Sequence, residues 1–313
     1  MYRRAGVLVA LAALAACAPE TATVSRLPMN WQPVESLNRD LPEGVRVYAG
    51  QNDSLPLRAW YVTVDEPDQA IVTRIVVSDD TTDNRETVTS FARDLGACVV
   101  VNGGYFTMDV TPALAVGLLI SDYETWKPAT RAVKRDTLSF EIARAAIGFT
   151  DEDDIVFTYA TSREGHNYAW DRPPPHRPGH PAAPLDYDDA REWVIRDAIG
   201  AGPALVADGR LHLTSDAEVF FGTTIPEVHP RTAAGVNADG ELLLMVVDGR
   251  QPESRGVSLE ELATLMLEVG ALEAINLDGG GSSTLVVNGT LVNRPAGDTI
   301  EREVMSALAT YCN

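Results

Sequence analysis

The chain alternates short apolar runs with polar breaks, and the runs have two different lengths. Val45-Arg-Val-Tyr, Ala59-Trp-Tyr-Val-Thr-Val and Ile71-Val-Thr-Arg-Ile-Val-Val are short and rich in β-branched and aromatic residues, which predicts strands. Cys98-Val-Val-Val-Asn102 is continuously apolar and reads as a strand covered on both faces. Helical spacing occurs twice. Thr87 to Leu95 is introduced by Thr82/Asp83 and stopped by Gly96. Ser258 precedes Leu259 to Val269, forms a capping-box pattern with Glu261, and Gly270 closes the run. The segments from Arg144 and from Arg231 echo one another: an Arg, small residues, a Gly, a polar turn and an apolar strand. Each reads as a hairpin, and the pair is expected to bring an Arg to the same region. Later come the strand Ala274 to Asp278, a hairpin turning at Asn288-Gly289, and a last strand or helix from Val304 to Tyr311. Helices and strands alternate only in part. The expected fold is therefore α+β, a single domain with a mixed, largely antiparallel β-sheet core flanked by helices.

Three regions fall outside that rhythm. Residues 1–16 carry Arg3 and Arg4 and then the apolar run Ala5 to Ala16, the pattern of a signal peptide. The run ends Leu14-Ala15-Ala16-Cys17, which resembles a bacterial lipobox with Cys17 as the lipidated residue. The expected location is thus the cell envelope, periplasm-facing or extracellular, anchored through Cys17 alone. Residues 17–42 are polar, contain Pro19, Pro28 and Pro33, and read as a flexible tether to a domain over 43–313. The third region, 167–189, is a Pro-rich loop expected to be solvated. Its His176 and His180 lack the helix that a zinc pair at this spacing needs.

Charge narrows the function classes. With 25 Lys+Arg against 45 Asp+Glu the formal charge is −20, so a basic surface for nucleic acid is not expected. Cys98 and Cys312 either bridge or stay as buried thiols, and an oxidising compartment allows the bridge.

Against that acidic background a few residues stand out. Asp278-Gly-Gly-Gly-Ser-Ser283 follows a strand, and Gly279, Gly280 and Gly281 remove side chains where a ligand meets backbone. Ser282, Ser283 and Asp278 frame that loop. Asn102-Gly103-Gly104-Tyr105-Phe106 ends the buried strand with small residues and aromatic faces suited to sugar. Arg231, Arg250 and Arg302 sit at element ends, where guanidinium groups match phosphate oxygens. Asp248 and Asp278 each follow an apolar strand and precede Gly, so both are candidate catalytic carboxylates for one cleft.

Five ordered motifs resemble the phosphodiester glycosidase family: Asn102-Gly-Gly-Tyr-Phe, Ala201-Gly-Pro-Ala-Leu-Val-Ala-Asp-Gly, His229-Pro-Arg-Thr-Ala, Val247-Asp-Gly-Arg and Asn276-Leu-Asp-Gly-Gly-Gly-Ser-Ser-Thr. The resemblance runs from about Ala92 to Tyr311. It implies hydrolysis of a sugar joined through its anomeric oxygen to a phosphodiester, such as a GlcNAc-1-phosphodiester, giving free sugar and a phosphomonoester. On that reading Arg231 and Arg250 hold phosphate, Asn102 and Tyr105 orient the sugar, and Asp248 and Asp278 supply the base or the oxocarbenium-stabilising charge. No cofactor or metal is implied, although paired Asp residues suit calcium. The competing expectation is a non-catalytic lipoprotein that binds anionic glycans in exopolysaccharide or cell-wall assembly.

Overall fold

A computed structural model describes residues 27–52, 54–65, 70–297 and 300–312. The expected signal peptide and the expected lipidation site Cys17 lie outside these residues. The eight-stranded sheet runs, in spatial order, Asn30–Pro33, Val45–Asn52, Leu57–Val64, Leu242–Val247, Arg231–Asn237, Ala271–Asn276, Ala204–Ala207 and Arg210–Leu211. A seven-stranded sheet is built around the hairpin Arg144–Phe149/Ile155–Arg163, and a five-stranded sheet around Val99–Asn102 and Ser306–Cys312.

The sheet is not mixed. Every strand pairing among the described residues is antiparallel. The reason lies in the connections. Neighbouring parallel strands need long crossovers, and eight of the eighteen pairings here join strands consecutive in the chain through turns of two to five residues, which only antiparallel neighbours allow. Helices are also fewer than an α+β label suggests: Val88–Leu95, Leu259–Glu268 and the single turn Glu35–Asn38.

The two longer helices follow their sequence signals. Thr87, rather than Thr82/Asp83, caps the first by accepting from the Ser90 N–H, and Gly96 ends it at φ 67°. Ser258 and Glu261 complete the predicted capping box of the second. Each helix covers one face of a sheet whose other face meets a shared core. Leu244 and Val246 point into that core, whereas Leu243, Met245 and Val247 pack with Leu262 and Met266 of the helix. Val99 and Val101 face the shared core and Val100 packs with Phe91. Period-two strands buried on both faces explain why these runs are apolar at every position.

Two expected loops are ordered parts of the domain. From residue 27 the supposed tether is packed: Leu27, Met29 and Leu41 are buried, and Asn30–Pro33 pairs with Tyr48–Gln51. Pro33 is tolerated because it ends an edge strand. The Pro-rich segment is also not simply solvated. It begins after the strand His166–Trp170, Leu185 and Tyr187 pack on the shared core, and buried His176 binds the Glu141 carbonyl through Nε2 at 2.7 Å.

Cys98 and Cys312 are bridged, tying the last strand to the strand Val99–Asn102 over a separation of 214 residues. A bridge that closes so long a loop restricts the unfolded chain strongly. Removing it with Cys98→Ala and Cys312→Ala should cost about 2–4 kcal/mol in denaturant unfolding. A loss under roughly 0.5 kcal/mol would show that the adjoining strand pairing already supplies the constraint.

Candidate active site

Sheet direction decides which chain ends meet. Leu242–Val247 and Ala271–Asn276 both run antiparallel to the strand between them, Arg231–Asn237. Their carboxyl ends and the amino end at Arg231 therefore share one sheet edge. Asn102 pairs with Ala307 in the five-stranded sheet, and its side chain crosses to the same edge. There a cavity of about 160 Å³ is lined by Tyr105, Thr224, Ile225, His229, Arg231, Arg250, Asp278, Gly279, Gly280 and Arg302.

Asp278 is the carboxylate that reaches this cavity. Its Oδ1 accepts the Gly279 N–H at 2.9 Å. Burial pushes its pKa up to about 6, against the pull of the Gly279 N–H, Arg302 and Arg231. Ser282 Oγ faces the carboxyl without completing a well-formed hydrogen bond. Asp248 does not join it. The Asp248 carboxylate turns inward and accepts from Asn293 Nδ2 at 2.9 Å and from the Arg294 N–H at 3.1 Å. Burial raises its pKa to about 6 as well. Its work is to fix the turn that presents Arg250, and it lines no part of the cavity.

The arginines divide into a buried strut, Arg231, and two heads without a carboxylate partner among the described residues, Arg250 and Arg302. Arg231 is buried and donates to three backbone carbonyls: Val257 through Nε at 3.1 Å, and Ile225 and Glu227 through Nη2. Burial lowers its pKa to about 10, so it stays charged at neutral pH while holding the 225–227 loop. Arg250 is exposed, has φ 59°, and donates from Nη2 to His229 Nδ1 at 3.1 Å. A guanidinium only donates, so Nδ1 is the acceptor and His229 Nε2–H donates to the Thr224 carbonyl at 2.8 Å. His229 thereby orients Arg250, a role the His229-Pro-Arg motif carried unrecognised. The Arg302 guanidinium lies close against Gly281 and has no ion-pair partner among the described residues.

The glycines serve these arginines rather than an anion directly. A Cβ on Gly281 would sit 2.5 Å from the Arg302 guanidinium carbon, and one on Gly280, at φ 66°, 3.3 Å from Arg250 Nη2. The expected cradle of N–H groups is absent from Gly279–Ser283. Gly279 N–H binds Asp278, Gly280 N–H binds the Pro230 carbonyl, and Ser282 and Ser283 N–H turn back onto Gly279 and Gly280. Ser282 and Ser283 are fully buried and do not line this cavity.

Asn102, Gly103 and Gly104 also work behind the cavity. Asn102 is fully buried; its Nδ2 donates to the Asp278 carbonyl at 2.8 Å, and its Oδ1 accepts from Thr232 Oγ1 at 2.7 Å and Thr284 N–H at 3.2 Å. Gly103 and Gly104 allow close packing on Ser306 and Ile199. Tyr105 does reach the cavity, and burial raises its pKa. Its hydroxyl donates to the Gly202 carbonyl at 2.9 Å and accepts from Asn276 Nδ2 at 2.7 Å. The echoed arginines do not both reach the cavity: Arg231 lines it and Arg144 does not. Arg144 stacks on Phe220 outside the cavity.

Sequence reasoning missed Glu218. It is fully buried and accepts from Ala145 N–H at 2.8 Å, Ala204 N–H at 2.9 Å and Thr214 Oγ1. It thus joins two sheets beneath Gly202. Nothing in the run Ser215-Asp-Ala-Glu-Val-Phe220 marks it, because its partners are mostly backbone groups distant in sequence.

Comparison with known proteins matches residues 96–311 to the model of the phosphodiester glycosidase family. The Homo sapiens N-acetylglucosamine-1-phosphodiester alpha-N-acetylglucosaminidase is 30% identical over 215 residues, covering 68% of this chain and 36% of that protein. The Bos taurus protein of the same name is 29% identical over 218 residues, 68% of this chain and 35% of that one. This chain therefore spans about a third of the length of these curated relatives. Among solved structures, the catalytic domain of the zebrafish N-acetylglucosamine-1-phosphodiester alpha-N-acetylglucosaminidase, auto-inhibited by pro-peptide, superposes with a TM-score of 0.62 at 22% identity. It covers 90% of this chain and 88% of that one.

Proposed function

The chain belongs to the phosphodiester glycosidase family, and on that premise we propose that it hydrolyses sugar-1-phosphodiesters, GlcNAc-1-phosphodiesters among them, in the cell envelope. One observation carries the reading. Arg231, Arg250 and Arg302 converge with the single carboxylate of Asp278 on one cavity of a chain whose formal charge is −20. Such a surface repels anions everywhere except where those cations gather.

The chemistry follows from that asymmetry. The bond from the anomeric carbon to the bridging oxygen breaks, and its electron pair stays on the departing phosphomonoester. Arg250 and Arg302 neutralise the charge that grows there. A phosphomonoester leaves readily, so no second carboxyl is needed to protonate it, which is consistent with Asp248 facing away. Water supplies the oxygen that bonds to the anomeric carbon, and Asp278 takes its proton. A carboxylate with a pKa near 6 is ionised at neutral pH and a better base than an ordinary Asp. Tyr105 closes the sugar side of the cavity, and Arg231 fixes the 225–227 loop that forms its wall.

The test is release of free sugar and phosphomonoester from a GlcNAc-1-phosphodiester, with Arg250→Ala alongside. Arg250→Ala should lose about 100-fold in kcat/KM on the phosphodiester and less than about 5-fold on an uncharged aryl glycoside. Equal losses would remove Arg250 from the phosphate. Binding of the phosphodiester without turnover would favour a glycan-binding lipoprotein.

A further inference from the structure

Three segments deliver walls of the cavity, and each also holds apolar side chains out in solvent. The first leaves Tyr105 and returns at Val116, whose N–H binds the Tyr105 carbonyl at 2.7 Å. It is a held loop: Thr107 N–H binds the Leu114 carbonyl at 2.9 Å, Leu114 N–H binds Thr107 Oγ1 at 3.0 Å, and Ala113 N–H binds the Asp83 carbonyl at 2.8 Å. Ala113 and Ala115 point inward, while Leu114 and Val116 point outward as a period-two backbone requires. With Met108 and Val110 they make four large apolar residues, each 37–51% exposed. The second segment carries Val228, 41% exposed, beside His229; the third carries Ile300, 77% exposed, two residues before Arg302. Single exposed apolar residues need no explanation. Six of them occur on the three segments that also supply Tyr105, His229 and Arg302 to the cationic cavity, and such a concentration of exposed apolar side chains on the segments of one site points to a ligand with an apolar part.

A cationic pocket whose segments also carry exposed apolar side chains matches an anion joined to an apolar group. Resting on the function proposed above, we infer that the group on the far side of the phosphate is an apolar chain: the substrates are amphiphilic sugar-1-phosphodiesters with an alkyl or acyl aglycone. The arginines hold the phosphate, the sugar lies toward Tyr105 and Asp278, and the chain lies along Met108, Val110, Leu114 and Val116.

The experiment compares two synthetic substrates with the same sugar and phosphate, one a methyl and the other an octyl ester, the octyl compound below its micellar concentration. Wild type should favour octyl by about 30-fold in kcat/KM, mostly through KM. The double variant Met108→Gln/Leu114→Gln replaces two half-exposed side chains and should bring that ratio to about 3-fold or less. A wild-type ratio near one, with sugar released from both compounds, overturns the apolar aglycone and leaves the hydrolase reading standing. So does a ratio that survives in the double variant. If wild type alone sediments with phosphatidylglycerol vesicles while the ratio stays near one, these side chains serve membrane docking, and the aglycone proposal fails. No sugar from either ester removes the hydrolase reading itself.

Discussion

Asp278→Asn should lower sugar release by about 1,000-fold and, at pH 7.5, raise the midpoint of thermal unfolding. The two effects share one cause. Burial holds the folded-state pKa of Asp278 near 6, above the roughly 3.9 of an unfolded chain. The folded protein then binds this proton more tightly than the unfolded one. Its contribution to stability is greatest below about pH 4 and falls as pH rises to about 6. Above that, ionised Asp278 costs the fold up to about 3 kcal/mol by linkage, less what its partly open position lets water screen. Asparagine removes the cost, so a gain of a few degrees is expected. Activity needs the ionised form and should rise with pH through about 6, then level off. The residual activity of the variant should show no such step. A variant with more than a tenth of wild-type activity would take Asp278 out of the chemistry. Lost activity with a lower midpoint would make it a structural residue instead.

How far the sequence could be read depended on whether a residue's partners were near it in the chain. Helix caps and hairpins are local, so Ser258 with Glu261 and the turn at Asn288-Gly289 were legible, the latter with φ 46° and 71°. Strands buried on both faces were legible because every position is apolar. The direction of pairing was not, because it depends on which strands become neighbours. At the site the structure brings Tyr105, Arg231, Arg250, Asp278, Gly279, Gly280 and Arg302 to one cavity and places Asn102, Asp248, Ser282 and Ser283 behind it. Asp278 and Asp248 carry the same local signal, a carboxylate after an apolar strand and before glycine. Only the distant loop at Asn293 and Arg294 turns one inward. Arg231 looked like an anion ligand, yet most of its donors go to carbonyls of the 225–257 region. By sequence alone, glycines 279–281 suggest a bare-backbone anion nest. Gly280 and Gly281 are bare because two guanidinium groups distant in the chain, those of Arg250 and Arg302, lie against them.

The second large effect is expected at Asn102, which is fully buried. Asn102→Asp changes one atom and should destabilise the protein by about 3–5 kcal/mol at pH 7.5. The native Nδ2 donates to the carbonyl of Asp278 at 2.8 Å and to that of Gly103 at 3.3 Å. A carboxylate would set an acceptor against both carbonyls and bury a charge with no cation to pair it. The group escapes by holding a proton, which then donates to Asp278 in place of the amide. Its folded-state pKa must therefore rise, and the sign of the linkage follows: the variant should be least destabilised near pH 4 and lose ground as pH rises. Asn102→Ala, which removes both functions, should cost about 2–4 kcal/mol with no comparable pH trend. Both variants should lose kcat more than KM changes, because the clamp sets the backbone from which Asp278 projects and leaves Arg250 and Arg302 in place. Denaturant midpoints across pH 4–8, with kcat and KM at each, separate these outcomes. An Asn102→Asp protein within about 1 kcal/mol of wild type at pH 7.5, and fully active, would show that the alignment of Asp278 comes from the Gly279 turn and not from the crossing between the two sheets.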